Sequence, residues 1–481
     1  MTVGEDDMES IRFGGTWNIP GIKENLSGDV HINNREGLIS LKIYNINKYI
    51  IKDNIELING VLTNGRKMTL VDCSVLNIRF ENTEKEAVLI EAKYAINDLI
   101  FEKVEDIAFY KMSFKVSNII KWSGLSGFYN PSVNENDYCL EYRLKDPIKY
   151  DLNEETKIIF LPKFNAKDVS VESEDIRLEQ SVWINIENEN PKSMDEIMDI
   201  LTKVLNLVRL GSEKKVDILK VKAYSEKHSD NFIEIFTDSE FEEGYEELYE
   251  GETLFKLEDL IEQEVNLLDN WFLKYDLLEP IIELYLSTLH YSYMSTKRRF
   301  LNIVQALEAY HMRFCYNDGP LFVEKIEYLF KDHEEKERHY KEFKTINQRR
   351  KKSIFLKNRL SDLIIEEFGI DTYLRDEEQI QNFLRAVVDT RNYHTHYSLE
   401  QKDRILVKGR LKEAIHILKS ILEFYLLKEI GFFGEHIDMK ILKRIELASE
   451  LYGYDYSDEK ANEALEVLQE EIDDELDILK D

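Results

Sequence analysis

Cysteine is scarce in this 481-residue sequence. Cys73, Cys139 and Cys315 lie far apart and form no C-x-x-C pair. An odd, scattered set of this kind indicates neither a disulfide framework nor a zinc site. We therefore expect neither a metal nor a cofactor.

Long apolar runs are also missing, and none approaches the roughly 20 residues that cross a bilayer. The opening residues, MTVGEDDMES, are acidic, and the apolar region of a signal peptide does not follow them. The motifs G-x-x-x-x-G-K-[ST], G-x-G-x-x-G and G-x-S-x-G of nucleotide-binding folds and α/β-hydrolases do not occur. We expect a cytoplasmic protein with no membrane partner and none of these chemistries.

Basic residues are outnumbered, because 63 lysines and arginines face 94 aspartates and glutamates for a net charge of −31. This balance argues against a protein that coats nucleic acid non-specifically, since such binding depends on phosphate neutralisation. A local basic cleft is still compatible with it. Two basic runs occur, KRR at 297–299 and the RNA-contact candidates Arg349, Arg350, Lys351 and Lys352. Each run either contacts RNA or forms a solvated helix face.

Up to about residue 240 the sequence alternates between short β-like runs and turn signals. The runs lie at 38–43, 87–95, 109–116, 157–161, 181–186 and 215–221. Asn64-Gly65 separates two apolar runs, as in a hairpin turn. This pattern predicts an antiparallel sheet or sandwich.

One helix interrupts the β-rich part. Ser193 and Glu196 have the S-x-x-E spacing of a capping box, and an apolar stripe follows them. Gly211 comes after the last apolar position, so we expect the helix to stop there.

The chain changes character after an acidic stretch at 238–252, where helical periodicity replaces the β pattern. Pro280 is expected to allow a new helix start, and a later helix at 405–430 is expected to stop at Gly431. Four or five helices of this kind predict a bundle.

The overall expectation is an α+β, multidomain fold. An antiparallel β-rich domain occupies 1–240, an all-α bundle occupies 241–456, and an acidic helical tail occupies 457–481. The tail has apolar residues spaced to pack on a surface that the sequence does not identify.

Residues 379–398 read QIQNFLRAVVDTRNYHTHYS. Apolar residues at 380, 383, 384, 387 and 388 have the spacing of an amphipathic helix. The next turn of that stripe reaches Arg391. Since an unpaired cation facing the interior or a partner is costly, we expect an anion beside Arg391.

His394 and His396 follow Arg391 at three and five residues. At about 100° per residue, a continuous helix separates Arg391 and His396 by about 140°, so it cannot aim both at one atom. Either the helix ends between them, or a second copy of the chain completes the site. His394 lies only about 60° from Arg391 and either assists or borders the site. A metal pair at His394 and His396 would suit a strand, and no third ligand is near.

The R-x-x-x-x-H spacing, with the polar Asn392 after the arginine, resembles the motif of the HEPN superfamily of helical nucleotide-binding and RNA-cleaving domains. The resemblance implies a homodimer that brings two copies of the motif together. It also implies catalytic roles for Arg391, Asn392 and His396, with His394 and Glu308 as further candidates. Glu308 either orients Arg391 or a histidine, or serves only as a structural ion-pair partner.

Further blocks extend the resemblance: FGGTW at 13–17, LSGDV at 26–30, WSGLSGF at 122–128 and FLNIVQALEAY at 300–310. They resemble parts of ApeA-type proteins, single-chain bacterial anti-phage proteins with a C-terminal HEPN domain. The resemblance implies abortive infection, a phage-derived trigger, and cellular RNA as substrate, with tRNA as a candidate. The β-rich domain is then a sensing, regulatory or substrate-positioning module.

Metal-free RNA cleavage uses the ribose 2′-hydroxyl as nucleophile, with a base, an acid and a cation that holds the phosphate. Histidine titrates near neutral pH, and arginine offers planar donors to phosphate oxygens. In this interpretation His396 is the principal acid or base, Arg391 clamps the phosphate, and Asn392 orients the groups around them. The alternatives are a non-catalytic HEPN scaffold for dimerisation or binding, and a nucleotide transferase acting on a protein.

Overall fold

The structure, a computed structural model, describes residues 10–44, 51–76, 87–129, 132–134, 137–167, 177–227, 231–239, 253–261, 267–290, 294–315, 356–367, 377–397, 402, 404–432 and 439–446. The chain divides into two compact units, Met1–Gln263 and Glu264–Asp481. Among the described helices, none has both the length and the apolar character that a membrane crossing needs.

Antiparallel strands build the first unit. Those described are β1 (Ser10–Asn18), β2 (Leu26–Asn33), β3 (Leu38–Tyr44), β4 (Asn54–Leu62), β5 (Lys67–Leu76), β6 (Ala87–Asn97), β7 (Ala108–Val116), β8 (Ser132–Asn134), β9 (Asp137–Cys139), β10 (Ile148–Asp151), β11 (Thr156–Lys167), β12 (Arg177–Ser193), β13 (Ile218–Tyr224) and β14 (Ile233–Thr237). The helices described with them are α1 (Ile119–Ser123), α2 (Met194–Ser212) and α3 (Leu257–Ile261). Five of the six predicted runs fall within strands, and the run at 215–221 begins three residues before β13.

Six strands close into a ring in the order β1-β2-β3-β6-β5-β4, because β4 pairs back with β1. Strand β6 also joins this ring to a second sheet. One edge of β6 pairs with β5, while its other edge pairs first with β3 and then, from Tyr94 to Ile96, with β14. The second sheet continues in the order β14-β13-β7-β12-β11-β10. Ring and sheet are therefore one continuous hydrogen-bonded structure.

Trp17 of β1 is fully buried among the apolar side chains of the ring. Its indole Nε1 donates to the Gly28 carbonyl at 3.1 Å. A Cβ at Gly60 would lie 2.3 Å from Trp17 Cε3, so the backbone of β4 can approach the indole only without a side chain there. The FGGTW block at 13–17 thus supplies packing for the ring.

Two local predictions are confirmed. The Asn64-Gly65 turn joins β4 and β5, with Gly65 at a φ of +84° and the Arg66 N–H donating to Asn64 Oδ1 at 3.0 Å. Ser193 caps α2, and the full capping box with Glu196 is present.

The prediction that Gly211 stops α2 is wrong. The helix continues to Ser212 and is capped by Glu213 in the left-handed conformation, with a φ of 54°. A Cβ at Gly211 would lie 2.3 Å from Trp122 Nε1 and 2.8 Å from a ring carbon of Phe255. Close packing against these two aromatic residues therefore requires glycine here.

Helices build the second unit. Those described are α4 (Leu267–His290), α5 (Thr296–Tyr310) with the π-helical turn His311–Cys315, α6 (Leu356–Glu367), α7 (Glu377–His396), α8 (Lys408–Ile430) and a short helix at 439–446. Helices α4, α5 and α8 pack against one another, and α7 contacts α5 and α6. Gly431, at a φ of +106°, ends α8 as predicted.

The prediction of a helix start at Pro280 is wrong, because this proline lies inside α4. Proline has no N–H, so the Asp276 carbonyl loses its helical donor. Arg313 compensates for this loss, since its Nη1 donates to the carbonyls of Leu277 at 2.8 Å and Asp276 at 3.4 Å.

The predicted α+β, multidomain fold class is confirmed, with antiparallel strands in the first unit and helices in the second. The domain ranges 1–240 and 241–456 stay predictions. The acidic tail at 457–481, the basic residues Arg349, Arg350, Lys351 and Lys352, and most of the acidic stretch at 238–252 lie outside the described residues.

Replacing Gly60 by alanine tests the packing of the ring. We expect Gly60→Ala to lower the free energy of unfolding by about 1–3 kcal/mol, because the new methyl group overlaps the Trp17 ring. Gly14→Ala is the control, since its Cβ would meet the movable Asp29 Oδ1 at 3.2 Å. Urea unfolding followed by tryptophan fluorescence measures both, and equal midpoints for the two variants would contradict the prediction.

Candidate active site

Helix α7 carries the R-x-x-x-x-H motif and is continuous from Glu377 to His396. The alternative in which the helix ends between Arg391 and His396 is therefore wrong. On one continuous helix the two side chains point about 140° apart. The alternative that remains is completion of the site by a second copy of the chain.

Arg391 lies beside an anion, as its place on the helix predicts. Its Nη2 is 3.4 Å from Glu308 Oε2 on α5, and its Nη1 donates to Asn392 Oδ1 at 3.2 Å. The side chains of Arg391 and Glu308 are 31% and 28% exposed. A long contact that is open to water contributes little stability. It orients the guanidinium and leaves donors for another anion, because the described contacts engage two of its five N–H groups.

The buried face of α7 differs from the predicted stripe in its last turns. Its fully buried positions are Ile380, Leu384, Val387, Thr390 and His394. The apolar stripe was expected to reach Arg391, but the buried face of the helix includes Thr390 instead. Arg391 therefore lies at the border of this face, where solvent can reach it.

Thr390 is a structural residue that the R-x-x-x-x-H motif does not include. Its hydroxyl donates to the Ala386 carbonyl at 2.6 Å and accepts the Leu406 N–H at 2.8 Å. The second bond ties the segment before α8 to α7, directly beside Arg391. Its position three residues after Val387 was the available signal, because that spacing continues a buried helix face.

His394 is only 7% exposed. Among the described residues, neither of its ring nitrogens has a hydrogen-bond partner. Burial lowers the pKa of His394, and the positive charge of Lys297 on α5 lowers this pKa further. The structure therefore favours a neutral imidazole with one nitrogen able to accept a proton.

His396 is exposed in the last turn of α7. Tyr397 follows it with a φ of 54° and is 67% exposed. The structure thus places His396 on the solvent side of the helix end, where another molecule can reach it.

The start of α5 adds positive charge to this region. Lys297 and Arg298 are exposed in its first turn, and the Ser295 hydroxyl accepts the Arg298 N–H at 3.3 Å. The free N–H groups of a helix N-terminus favour anions. Glu308, near the end of α5, contacts Arg391, whereas the charge of Lys297 at the start of α5 lowers the pKa of His394. Because His394 follows Arg391 along α7, the two helices run antiparallel.

The structure therefore brings together three of the five predicted site residues, namely Arg391, Asn392 and Glu308. His394 is buried next to them, and His396 faces another direction. The RNA-contact candidates at 349–352 lie outside the described residues. Oriented guanidinium donors and a positive helix start suit phosphate binding. The ring nitrogens of His394 are buried, so of the two histidines only His396 is open to a bound molecule.

Comparison with protein families gives two matches. The family described as ApeA N-terminal domain 1 matches residues 12–271, more than half of the chain, and the family described as Apea-like HEPN matches residues 301–435. The chain belongs to the ApeA-type family. Comparison with curated proteins finds no match.

The ApeA-type resemblance found in the sequence is confirmed. The HEPN match at 301–435 contains Glu308 and the whole of α7, so every described candidate residue lies within the HEPN domain. Membership in the ApeA-type family makes the chain an anti-phage effector of the HEPN type.

The lowered pKa of His394 predicts acid sensitivity. The folded chain resists protonation of His394, whereas the unfolded chain accepts the proton, so stability present above the unfolded pKa is lost as pH falls below it. We expect His394→Gln to reduce the loss of thermal stability between about pH 7 and pH 5.

His396→Gln is the matched control, because it replaces an exposed ring two residues away. Circular dichroism melting curves at several pH values compare both variants with the wild-type chain, and we expect the control to follow the wild type. An equal loss of melting temperature in His394→Gln and the wild type would contradict the prediction.

Proposed function

We propose that the chain is a metal-independent endoribonuclease that cleaves cellular RNA, with tRNA as the candidate substrate. The proposal rests on the contacts that orient the Arg391 guanidinium. Glu308 and Asn392 orient its guanidinium at the border of the buried face of α7, within a HEPN domain. A preoriented guanidinium with donors to spare suits stabilisation of charge on a phosphate.

In the proposed reaction the ribose 2′-oxygen attacks the adjacent phosphorus and the bond to the 5′-oxygen breaks. The products are a 2′,3′-cyclic phosphate and a 5′-hydroxyl. Arg391 holds the non-bridging oxygens, and Asn392 keeps the guanidinium in place. His396 is the principal acid or base, and His394, whose ring nitrogens are buried, borders the site. Each proton transfer contributes about 100- to 10,000-fold to the rate.

The proposed enzyme is a homodimer. The angle of about 140° between Arg391 and His396 keeps them from acting on one phosphate within a single copy. A second copy related by a two-fold axis presents the same two side chains in the reverse arrangement. Arg391 of one copy and His396 of the other then meet at the scissile phosphate.

We place this activity in abortive infection, where RNA cleavage arrests or kills the infected cell. Such an enzyme must be inactive in healthy cells. The β-rich unit, or the acidic tail at 457–481, restrains it until a phage-derived trigger acts. The alternatives are a scaffold that only dimerises or binds, and a transferase that moves a nucleotide onto a protein.

The first test follows RNA in phage-infected cells that express the wild-type chain, Arg391→Ala or His396→Ala. We expect both substitutions to lower cleavage at least about 100-fold, since each removes a group needed in the transition state. Arg385→Ala, an exposed arginine on the same helix, is the matched control and should cleave like the wild type. Fragments should end in 2′,3′-cyclic phosphate. Intact RNA throughout, with defence unaffected by the substitutions, would contradict the proposal and favour the scaffold.

The second test mixes the two inactive chains. If Arg391 and His396 act across the dimer, heterodimers of Arg391→Ala and His396→Ala keep one intact combination. Co-expression should then restore up to about a quarter of wild-type cleavage. Each variant expressed alone is the control. No recovery, despite heterodimers detected by differential tags, would contradict action across the dimer.

A further inference from the structure

Exposed basic residues are concentrated at the start of α8. Five of the eleven residues at 402–412 are basic and one is acidic, in a chain whose net charge is −31. Two of the basic residues are exposed just before the helix, and two more, one turn apart, share its exposed face. In chain order they are Lys402, Arg404, Lys408 and Lys412.

The start of α8 lies beside the candidate active site. The Leu406 N–H, two residues before the helix, donates to the Thr390 hydroxyl at 2.8 Å, and Thr390 directly precedes Arg391. At the opposite end of α8, the Tyr310 hydroxyl of α5 donates to Glu429 Oε1 at 2.8 Å. Since α5 runs antiparallel to α7, the starts of α5 and α8 and the end of α7 lie at one end of the unit.

The first turn of α5 adds two cations at this end. Lys297 and Arg298 are exposed there, and the charge of Lys297 reaches His394 near the end of α7. Together, the exposed cations at the two helix starts form the basic cluster, which consists of Lys297, Arg298, Lys402, Arg404, Lys408 and Lys412.

The basic cluster keeps its charge within the described part of the chain. The described ion pairs of the second unit involve other side chains, and none of the six cluster residues pairs with a described carboxylate. Arg410 has contacts of its own and is not counted in the cluster. Asp403 lies outside the described residues. Cations without a counter-charge attract an anionic partner.

The backbone at the start of α8 adds to this positive charge. Val407, which precedes the helix, makes no side-chain hydrogen bond that would cap its first N–H groups, and such groups favour anions. Lys408 follows with a φ of 47°, in the left-handed region that favours glycine. Lysine therefore adds a charge here at a conformational cost that glycine would avoid.

We propose that the basic cluster binds the phosphates of an RNA strand that neighbour the phosphate held by Arg391. This inference rests on the proposed function, because the cluster borders the site of the proposed cleavage. Exposed lysines and arginines bind phosphates through charge and do not contact the bases, so we expect binding that depends on salt and little on sequence. An acidic polypeptide is the competing partner, and the test separates the two.

The test measures binding in the absence of cleavage. The full wild-type chain is titrated into a fluorescein-labelled 2′-O-methyl RNA of about 20 nucleotides, which lacks the nucleophile of the proposed reaction. Fluorescence anisotropy gives the affinity at several salt concentrations. Lys408→Gly with Lys412→Gln should weaken binding at least about tenfold, and the slope of log affinity against log salt should fall by about 1.4 for two lost phosphate contacts. Glycine suits the φ of Lys408, so this substitution does not strain the backbone.

Matched controls separate the basic cluster from overall charge and from loss of folding. Arg385→Gln with Lys443→Gln removes the same two charges at exposed positions of the second unit outside the cluster, and should leave the affinity within about twofold. Lys402→Gln with Arg404→Gln should weaken binding as the first pair does. Circular dichroism melting curves check that every variant is folded.

Unchanged affinity in both pairs of cluster variants would overturn the proposal. Equal weakening by the control pair would overturn it too, because the effect would then be one of net charge. Displacement of the labelled RNA by polyglutamate as effectively as by unlabelled RNA would assign the cluster to an acidic polypeptide instead.

Cleavage of RNA in infected cells reports separately on the proposed function. Binding that depends on the cluster, in a chain that leaves cellular RNA intact, would support the cluster and contradict the proposed cleavage. Cleavage that needs Arg391, together with unchanged binding in the cluster variants, would support the nuclease and overturn the role of the cluster.

Discussion

The rotation of about 100° per residue along α7 determines what one copy of this chain can do. His394 points into the packed interior, Arg391 points along its border toward Glu308, and His396 points to solvent. A continuous helix cannot bring these three groups to one point. In the proposed enzyme the complement comes from a second copy of the chain, and cleavage then depends on association. Since a cell can regulate an association, the geometry of this one helix would offer a way to keep the proposed activity off.

The same helix shows how burial sets the protonation state of a side chain. A histidine in water is partly protonated near neutral pH, but His394 is buried beside the positive start of α5, and both conditions favour its neutral form. The cost of this burial is a ring without described hydrogen-bond partners.

Local features of the fold were predictable from the sequence, whereas its closure was not. Alternation of apolar and polar residues predicted the strands. The capping box at Ser193 predicted a helix start, Gly65 a hairpin turn, and Gly431 a helix end. Pairing of β1 with β4 depends on contacts between distant residues, which no local pattern contains. The predicted helix stop at Gly211 and helix start at Pro280 were wrong for a related reason. Trp122 and Arg313, distant in sequence, decide what those positions require.

The sequence predicted which residues lie at the candidate site, but not which way their side chains point from α7. The apolar stripe and the R-x-x-x-x-H spacing identified Arg391 and its need for an anion. Periodicity alone did not distinguish Thr390 from Arg391 as the buried neighbour, because adjacent positions differ by only about 100°. Thr390 faces inward, where its hydroxyl accepts a hydrogen bond from the Leu406 N–H, and Arg391 does not. That bond involves a segment outside the helix, so the pattern within the helix does not contain it.

Two carboxylates of the second unit, Glu308 and Glu423, differ in burial and in their contacts. Glu423 is a structural carboxylate, because it is fully buried and contacts Tyr285 at 2.8 Å, Lys419 at 3.1 Å and Arg444 at 3.1 Å. Removing one partner from such a buried group is strongly destabilising. Glu308 instead meets Arg391 through one long contact that water reaches. In the proposed enzyme a phosphate would replace that contact at small cost, and Glu308 would orient Arg391 until the substrate binds.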